Sequence, residues 1–181
     1  MARVPYLEPE DATGKMGEIL GKMKQKNVQI LNLYKTLAHA SGIGDLVIRR
    51  NRILLHGKLP PKLRELAILL VGQIAQAPYE FTKHIVIGLE AGLSRAQVDV
   101  LPFWRSANAY DAAERAVLQY TDEVSRSYRA SDAAFAELRK HLDDEQVTEL
   151  TIIIGYYEMI CRVLEALQVE LEEEPFVPIG N

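Results

Sequence analysis

The chain has one cysteine in 181 residues, Cys161. A lone thiol cannot close an internal disulfide, and it excludes a multi-cysteine zinc site and a Cys-x-x-Cys redox pair. Strand signals are equally scarce, with no sustained period-two runs and no Asn-Gly hairpin turns. No apolar run is long enough to span a membrane; the most apolar stretch, Leu150 to Leu164, contains Glu158 and Arg162. The opening segment MARVPYLEPEDATGK lacks the apolar core of a signal peptide, so a cytoplasmic address is expected. An excess of positive charge is also missing. The net charge of −4 and a pI near 5.6 argue against nucleic acid or an anionic membrane as a partner. Arg49, Arg50 and Arg52 cluster locally without covering a face. Glycine-rich phosphate loops and a nucleophile elbow are absent.

What is present is helical periodicity. Helices are expected at about 11–26, 30–40, 45–56, 61–76, from Pro78 to Gly92, from Ser94 to before Pro102, from Asp111, from Ser131, and from Asp143 to about Leu171. Ser94-x-x-Gln97, Asp111-x-x-Glu114 and Asp143-x-x-Gln146 have the spacing of reciprocal N-terminal caps. Phe103 and Trp104 are expected as packing anchors, and the tail EEEPFVPIGN as extended or loose. The reading is all-α, about eight helices, in a single domain spanning 1–181. Within it lie an arm and helices at 1–58, a core motif at 59–101, C-terminal helices at 102–172 and a tail at 173–181.

The core motif holds three polar residues that ordinary surface does not explain. Glu65 sits in a helix that is apolar almost all round, with Ile68, Leu69 and Gly72 on its face. A carboxylate there is either paired or shifted to a higher pKa. Paired, it is a structural salt bridge; shifted, it is a proton-transfer group. Glu80 and His84 lie one turn apart on the next helix, sharing a stripe with Ala77, Phe81, Gly88 and Ala91 whose small members would leave open space. Such a carboxylate–imidazole couple suits general acid/base work, although solvated pairs at this spacing are common and two or three ligands also permit a metal. Arg49, Arg50, Arg52 and Arg64 would serve either as a carboxylate fork or as solvated surface. Cys161 is expected as an inert core thiol, and Tyr156-Tyr157 as core or subunit contact.

Three successive motifs, P-x-x-L-R-E-L-A-I-L, A-P-Y-E-F-x-x-H and G-L-E-A-G-L-S, resemble the carboxymuconolactone decarboxylase family, which includes the AhpD-like alkylhydroperoxidases. The likeness extends to R-V-P-Y-L, I-L-N-L-Y-K-T-L-A, A-V-L-Q-Y-T-D-E-V and the closing helix. It implies an all-helical AhpD-like fold that assembles as a homotrimer or homohexamer, with the active site near subunit contacts. In the peroxidase branch a helical glutamate precedes a Cys-x-x-Cys and a histidine four residues beyond the second cysteine. Glu65 matches the glutamate and His84 the histidine, whereas Ala77 and Glu80 stand where the cysteines would be. Thiol-based peroxide reduction is therefore excluded, since it needs a thiolate and a resolving partner.

The resemblance implies a carboxymuconolactone decarboxylase-like lyase without cofactor or metal, acting on a small carboxylic acid or lactone. Glu65, Glu80 and His84 are the expected catalytic residues. Protonated His84, supported by Glu80, is the expected donor, and Tyr79 and Arg52 are the expected substrate contacts. The alternative is a non-catalytic, small-ligand-binding oligomer that kept the fold. A Glu65 carboxylate far from His84 and facing solvent would remove the proton-handling reading.

Overall fold

Ser94, Asp111, Ser131 and Asp143 each cap the start of a helix. A computed structural model describes residues 2–54 and 56–177, with the side chains of 50–54 outside the description. Among the described residues there are nine α-helices, two short 3-10 turns and no strands, in keeping with the expected all-α class. No helix among them is long and apolar enough to cross a membrane. The chain divides into two compact units, residues 1–56 with 163–181, and residues 57–162.

The first unit contains α1 (Gly14–Gln25), α2 (Asn32–Leu37) and α3 (Ser41–Leu54). Ser41 ties two helix starts together: its hydroxyl accepts from the Met16 amide at 3.0 Å and donates to the Thr13 carbonyl at 2.8 Å. The gap expected between helices at 30–40 and 45–56 is not there, because Ala38–Ala40 is a 3-10 turn that leads directly into α3 at Ser41. The tail is not loose through Val177. The Asn32 amide donates to Glu172 at 2.7 Å, the Asn32 side chain donates to the Glu170 carbonyl at 3.0 Å, and Gln29 bonds Pro175 and Val177.

The second unit contains α4 (Pro61–Ile74), α5 (Pro78–Glu90), α6 (Arg95–Asp99), α7 (Ala112–Ser127), α8 (Asp132–Leu138) and α9 (Asp144–Leu167) as far as Arg162. All three reciprocal caps form, at Ser94/Gln97, Asp111/Glu114 and Asp143/Gln146. Helix α4 is buried from Leu63 to Gly72. Its leucines 66, 69 and 70 pack with Leu93, Val98, Leu101, Trp104, Tyr110 and Leu118. Trp104 is thus the packing anchor, whereas Phe103 is exposed.

Two details position the α4–α5 hairpin. At its near end, Glu149 on α9 accepts the Lys58 and Leu59 amides at 3.0 and 2.7 Å. A Cβ on Gly57 would meet that carboxylate at 2.6 Å, so a larger residue there would make the Glu149 side chain shift. Glu149→Ala is expected to cost about 1–3 kcal/mol through two lost amide acceptors, measured by urea unfolding. At the other end, Gln76 turns left-handed (φ 53°) and the Ala77 amide returns to the Gly72 carbonyl at 2.9 Å. This is the hydrogen-bond pattern that reverses a chain after a helix. Pro78 then starts α5 without wasting an amide. A Cβ on Gly72 would sit 3.4 Å from the Phe81 amide nitrogen, so the two helices lie close together.

Candidate functional site

The hairpin brings the middle of α4 against the middle of α5. Glu65 is fully buried, and its Oε2 lies 2.6 Å from His84 Nδ1. On the far side of the ring, His84 Nε2 lies 2.9 Å from Glu80 Oε1, one helical turn back. The second oxygen of Glu65 accepts from Arg64 Nε at 2.9 Å. A continuous polar chain, Arg64–Glu65–His84–Glu80, therefore runs through the hairpin, with all four residues buried.

A neutral imidazole has one N–H and one lone pair. Set between two carboxylates, it would aim that lone pair at an anion, whereas an imidazolium donates to both. The electrostatics agree. Burial alone would lower the His84 pKa, but Glu65 first and Glu80 next overcome it and raise it to about 10. Burial alone would raise Glu65; His84 and then Arg64 outweigh it and hold the carboxyl below the ordinary glutamate value. The raised pKa offered for Glu65 from sequence is thus corrected: the residue is paired, and its arginine is its own chain neighbour.

The site is closed by aromatic and apolar groups. Tyr157 of α9 meets His84 edge-on, with ring centroids 4.9 Å apart at 85°. Burial, then the charges of Glu80 and Glu65, push its phenol well above the ordinary tyrosine value, so it stays protonated. The open space expected beside Gly88 is filled. A Cβ there would meet Leu93 at 2.9 Å, Leu69 at 3.4 Å and Glu65 Cβ at 3.6 Å. The Glu80–His84 pair is accordingly no solvated surface pair.

Tyr79, expected as a substrate contact, is buried, with Lys83 Nζ 5.3 Å from its ring centroid. The Arg52 side chain lies outside the described residues. Lys83 is not among the residues singled out from sequence, because its burial beside His84 shows only in the structure. Among the described residues no group of three or more His, Cys, Asp or Glu side chains is placed to hold a metal ion. The two glutamates bond opposite ring nitrogens of His84 and do not converge on a common point.

This glutamate-to-histidine geometry sits inside a recognisable segment. Residues 46–123 match the carboxymuconolactone decarboxylase family. The resemblance read from sequence therefore stands, and the family segment contains Glu65, Glu80 and His84. In sequence the chain is similar to the uncharacterized protein YdfG of Bacillus subtilis, 26% identical over 106 residues, covering 58% of this chain and 72% of YdfG. In structure it is similar to an uncharacterized peroxidase-related protein with an alkylhydroperoxidase AhpD core from Ralstonia eutropha. That match has a TM-score of 0.81 at 19% identity and covers 95% of this chain and 93% of the other. It is also similar to the debrominase Bmp8, in a cysteine-to-alanine form bound to 2,3,4-tribromopyrrole, with a TM-score of 0.79 at 18% identity over 96% and 95% of the two chains. At these identities the structural likenesses establish the AhpD-like fold. Against the cysteine pattern implied for the peroxidase branch, the family segment here presents Ala77 and Glu80.

Proposed function

We propose that this protein is a cofactor-independent, carboxy-lyase-like enzyme that performs general acid/base chemistry on a small carboxylic acid or lactone. The observation that carries the reading is the buried Glu65–His84–Glu80 chain, with His84 held at 2.6 and 2.9 Å by the two carboxylates. Both ring nitrogens are engaged, so His84 acts through Glu80 rather than on the substrate directly. This revises the donor expected from sequence.

In a decarboxylation of this kind the bond to the departing CO2 breaks and its electron pair passes into a conjugated enolate. The Glu80 carboxylate takes the Nε2 proton of His84 and passes it to carbon, so that the imidazolium is the source of the proton and Glu80 ends as it began, a carboxylate. Glu65 keeps the Nδ1 proton in place and stabilises the ring. Solvent returns the missing proton to His84 after product leaves. Hydrogen-bonded relays of this type contribute about 10²–10⁴-fold to a rate.

The presence of a debrominase among the structural neighbours supports catalysis on this fold. A homotrimeric or homohexameric state and a site near subunit contacts belong to the same reading.

The test is a panel of lactone acids and related ring-cleavage products, followed for CO2 release with purified protein, alongside a peroxide-reduction assay. CO2 release from at least one lactone acid, absence of peroxide reduction, and a loss of at least about a hundredfold in Glu80→Gln are expected. Full activity in Glu80→Gln would remove Glu80 from the reaction. Peroxide turnover would overturn the reading entirely.

A further inference from the structure

Four side-chain oxygens of the second unit are buried and meet no hydrogen-bond partner among the described residues: Gln73 Oε1 on α4, Thr121 Oγ1 and Ser125 Oγ on α7, and Glu158 Oε1 on α9. Buried polar groups in folded proteins are nearly always bonded, so orphans that gather in one place point to something that binds among them. Register gathers these four. Lys62, Leu66, Leu69 and Gln73 run along one stripe of α4, and Glu114, Leu118, Thr121 and Ser125 along one stripe of α7, both at the spacing i, i+4, i+7, i+11. The stripes face each other in step: Lys62 Nζ pairs with Glu114 at 2.6 Å, and Leu66 and Leu69 pack in one cluster with Leu118. The next turn sets Gln73 beside Thr121 and Ser125. On α9, Thr151, Glu158 and Arg162 share the stripe that meets α7. The Tyr120 and Thr151 hydroxyls are 2.8 Å apart, and Arg162 Nη2 donates to the Tyr128 hydroxyl at 3.4 Å. Glu158 lies between those two contacts, level with the same turn of α7.

We infer that Gln73, Thr121, Ser125 and Glu158 form a binding site for a monovalent cation between α4, α7 and α9. The donor set is all oxygen, which suits a hard cation rather than a transition metal. Glu158 brings its only formal charge. A monovalent ion balances that carboxylate, whereas a divalent ion would leave positive charge uncompensated in a buried place. The carboxylate and amide oxygens can only accept, and each hydroxyl can turn a lone pair the same way, so all four can face one cation. Arg162 does not take its place. Its Nη1 stands 3.7 Å from the other oxygen, Glu158 Oε2, and its side chain is 61% exposed, leaving Oε1 unmet. Thr121, fully buried, closes the inner end, and half-buried Gln73 and Ser125 form the way in from solvent. The site adjoins the candidate catalytic one without sharing a residue: Glu158 follows Tyr157, whose ring meets His84.

The inference does not depend on the proposed chemistry, and thermal unfolding of the full chain tests it. Melting is followed in sodium, potassium, ammonium and tetramethylammonium chloride at equal ionic strength. At least one of the three small cations should raise Tm saturably, by at least about 3 °C over tetramethylammonium, because an ion that binds only the folded chain stabilises it by mass action. Thr121→Val keeps the side-chain shape and should melt cooperatively with that dependence lost. Ser125→Ala, at a half-buried position, repeats the test should Thr121→Val not fold. Glu158→Gln should weaken the apparent affinity for the cation at least tenfold. The same Tm in all four salts would leave ordered water as the occupant and overturn the site. A cation dependence that persists unchanged in the folded Thr121 or Ser125 variant and in Glu158→Gln would put the ion elsewhere and overturn it equally.

Discussion

Replacing Glu65 with alanine is expected to destabilise the protein by about 3–5 kcal/mol, the cost of removing one partner from a buried ion pair. The carboxylate bonds His84 Nδ1 at 2.6 Å and Arg64 Nε at 2.9 Å from a fully buried position. Alanine takes the counter-charge from two cationic groups at once and leaves a void at their centre. His84 can limit the loss by giving up its proton, which sets a ceiling on the cost. Against a typical total stability of about 5–15 kcal/mol, the change is large. It should appear in urea unfolding as a lower midpoint at unchanged slope. Glu65→Gln keeps the shape and one carbonyl acceptor but presents an N–H₂ group to one of two donors, so an intermediate loss is expected. A Glu65→Ala protein within about 1 kcal/mol of wild type would show that the pairing contributes little.

The same pairing gives stability a distinctive alkaline limb. The folded-state pKa of His84 is raised to about 10, against an ordinary value of 6.5. Its contribution is fully present below pH 6.5 and is lost progressively as pH rises through about 10. Glu65 works in the opposite direction, being lowered from 4.5. Its contribution is present above the ordinary glutamate value and is lost as pH falls through the lowered one. Between these limbs the pair is fully ionised, and stability should be flat from about pH 5 to 6.5. Urea midpoints measured from pH 5 to 10 should therefore fall on the alkaline side in wild type and fall less in His84→Gln. Parallel curves for the two proteins would assign the alkaline loss to other groups.

Much of this arrangement is legible in the sequence. Caps and periodicity gave the helices of the second unit because Ser94, Asp111 and Asp143 satisfy helix-end amides locally, whatever packs above them. Glu65 stood out because a carboxylate amid Ile68, Leu69 and Gly72 cannot be left alone. What failed depended on tertiary cover. Spacing alone cannot distinguish a solvated Glu80–His84 pair from a buried one; Tyr157, more than seventy residues later, makes the difference. Small residues at Gly88 suggested space that Leu93 and Leu69 in fact fill. The direction of the Glu65 shift depended on which cations faced it, and its arginine proved to be the adjacent Arg64. The tail is extended, one of the two states expected, and Gln29 and Asn32, far away in sequence, supply the hydrogen bonds that keep it from being loose. Its polar composition carried no trace of them.

The central claim is that His84 is an imidazolium donating to Glu65 and Glu80 at once, and the ring nitrogens report this directly. ¹⁵N NMR of the histidine side chains, followed from pH 5 to 11, should show both His84 nitrogens protonated at pH 7 and a single transition near pH 10. In Glu65→Gln that transition should move toward neutrality. A neutral His84 tautomer at pH 7, titrating near 6.5 like an exposed histidine, would contradict the claim.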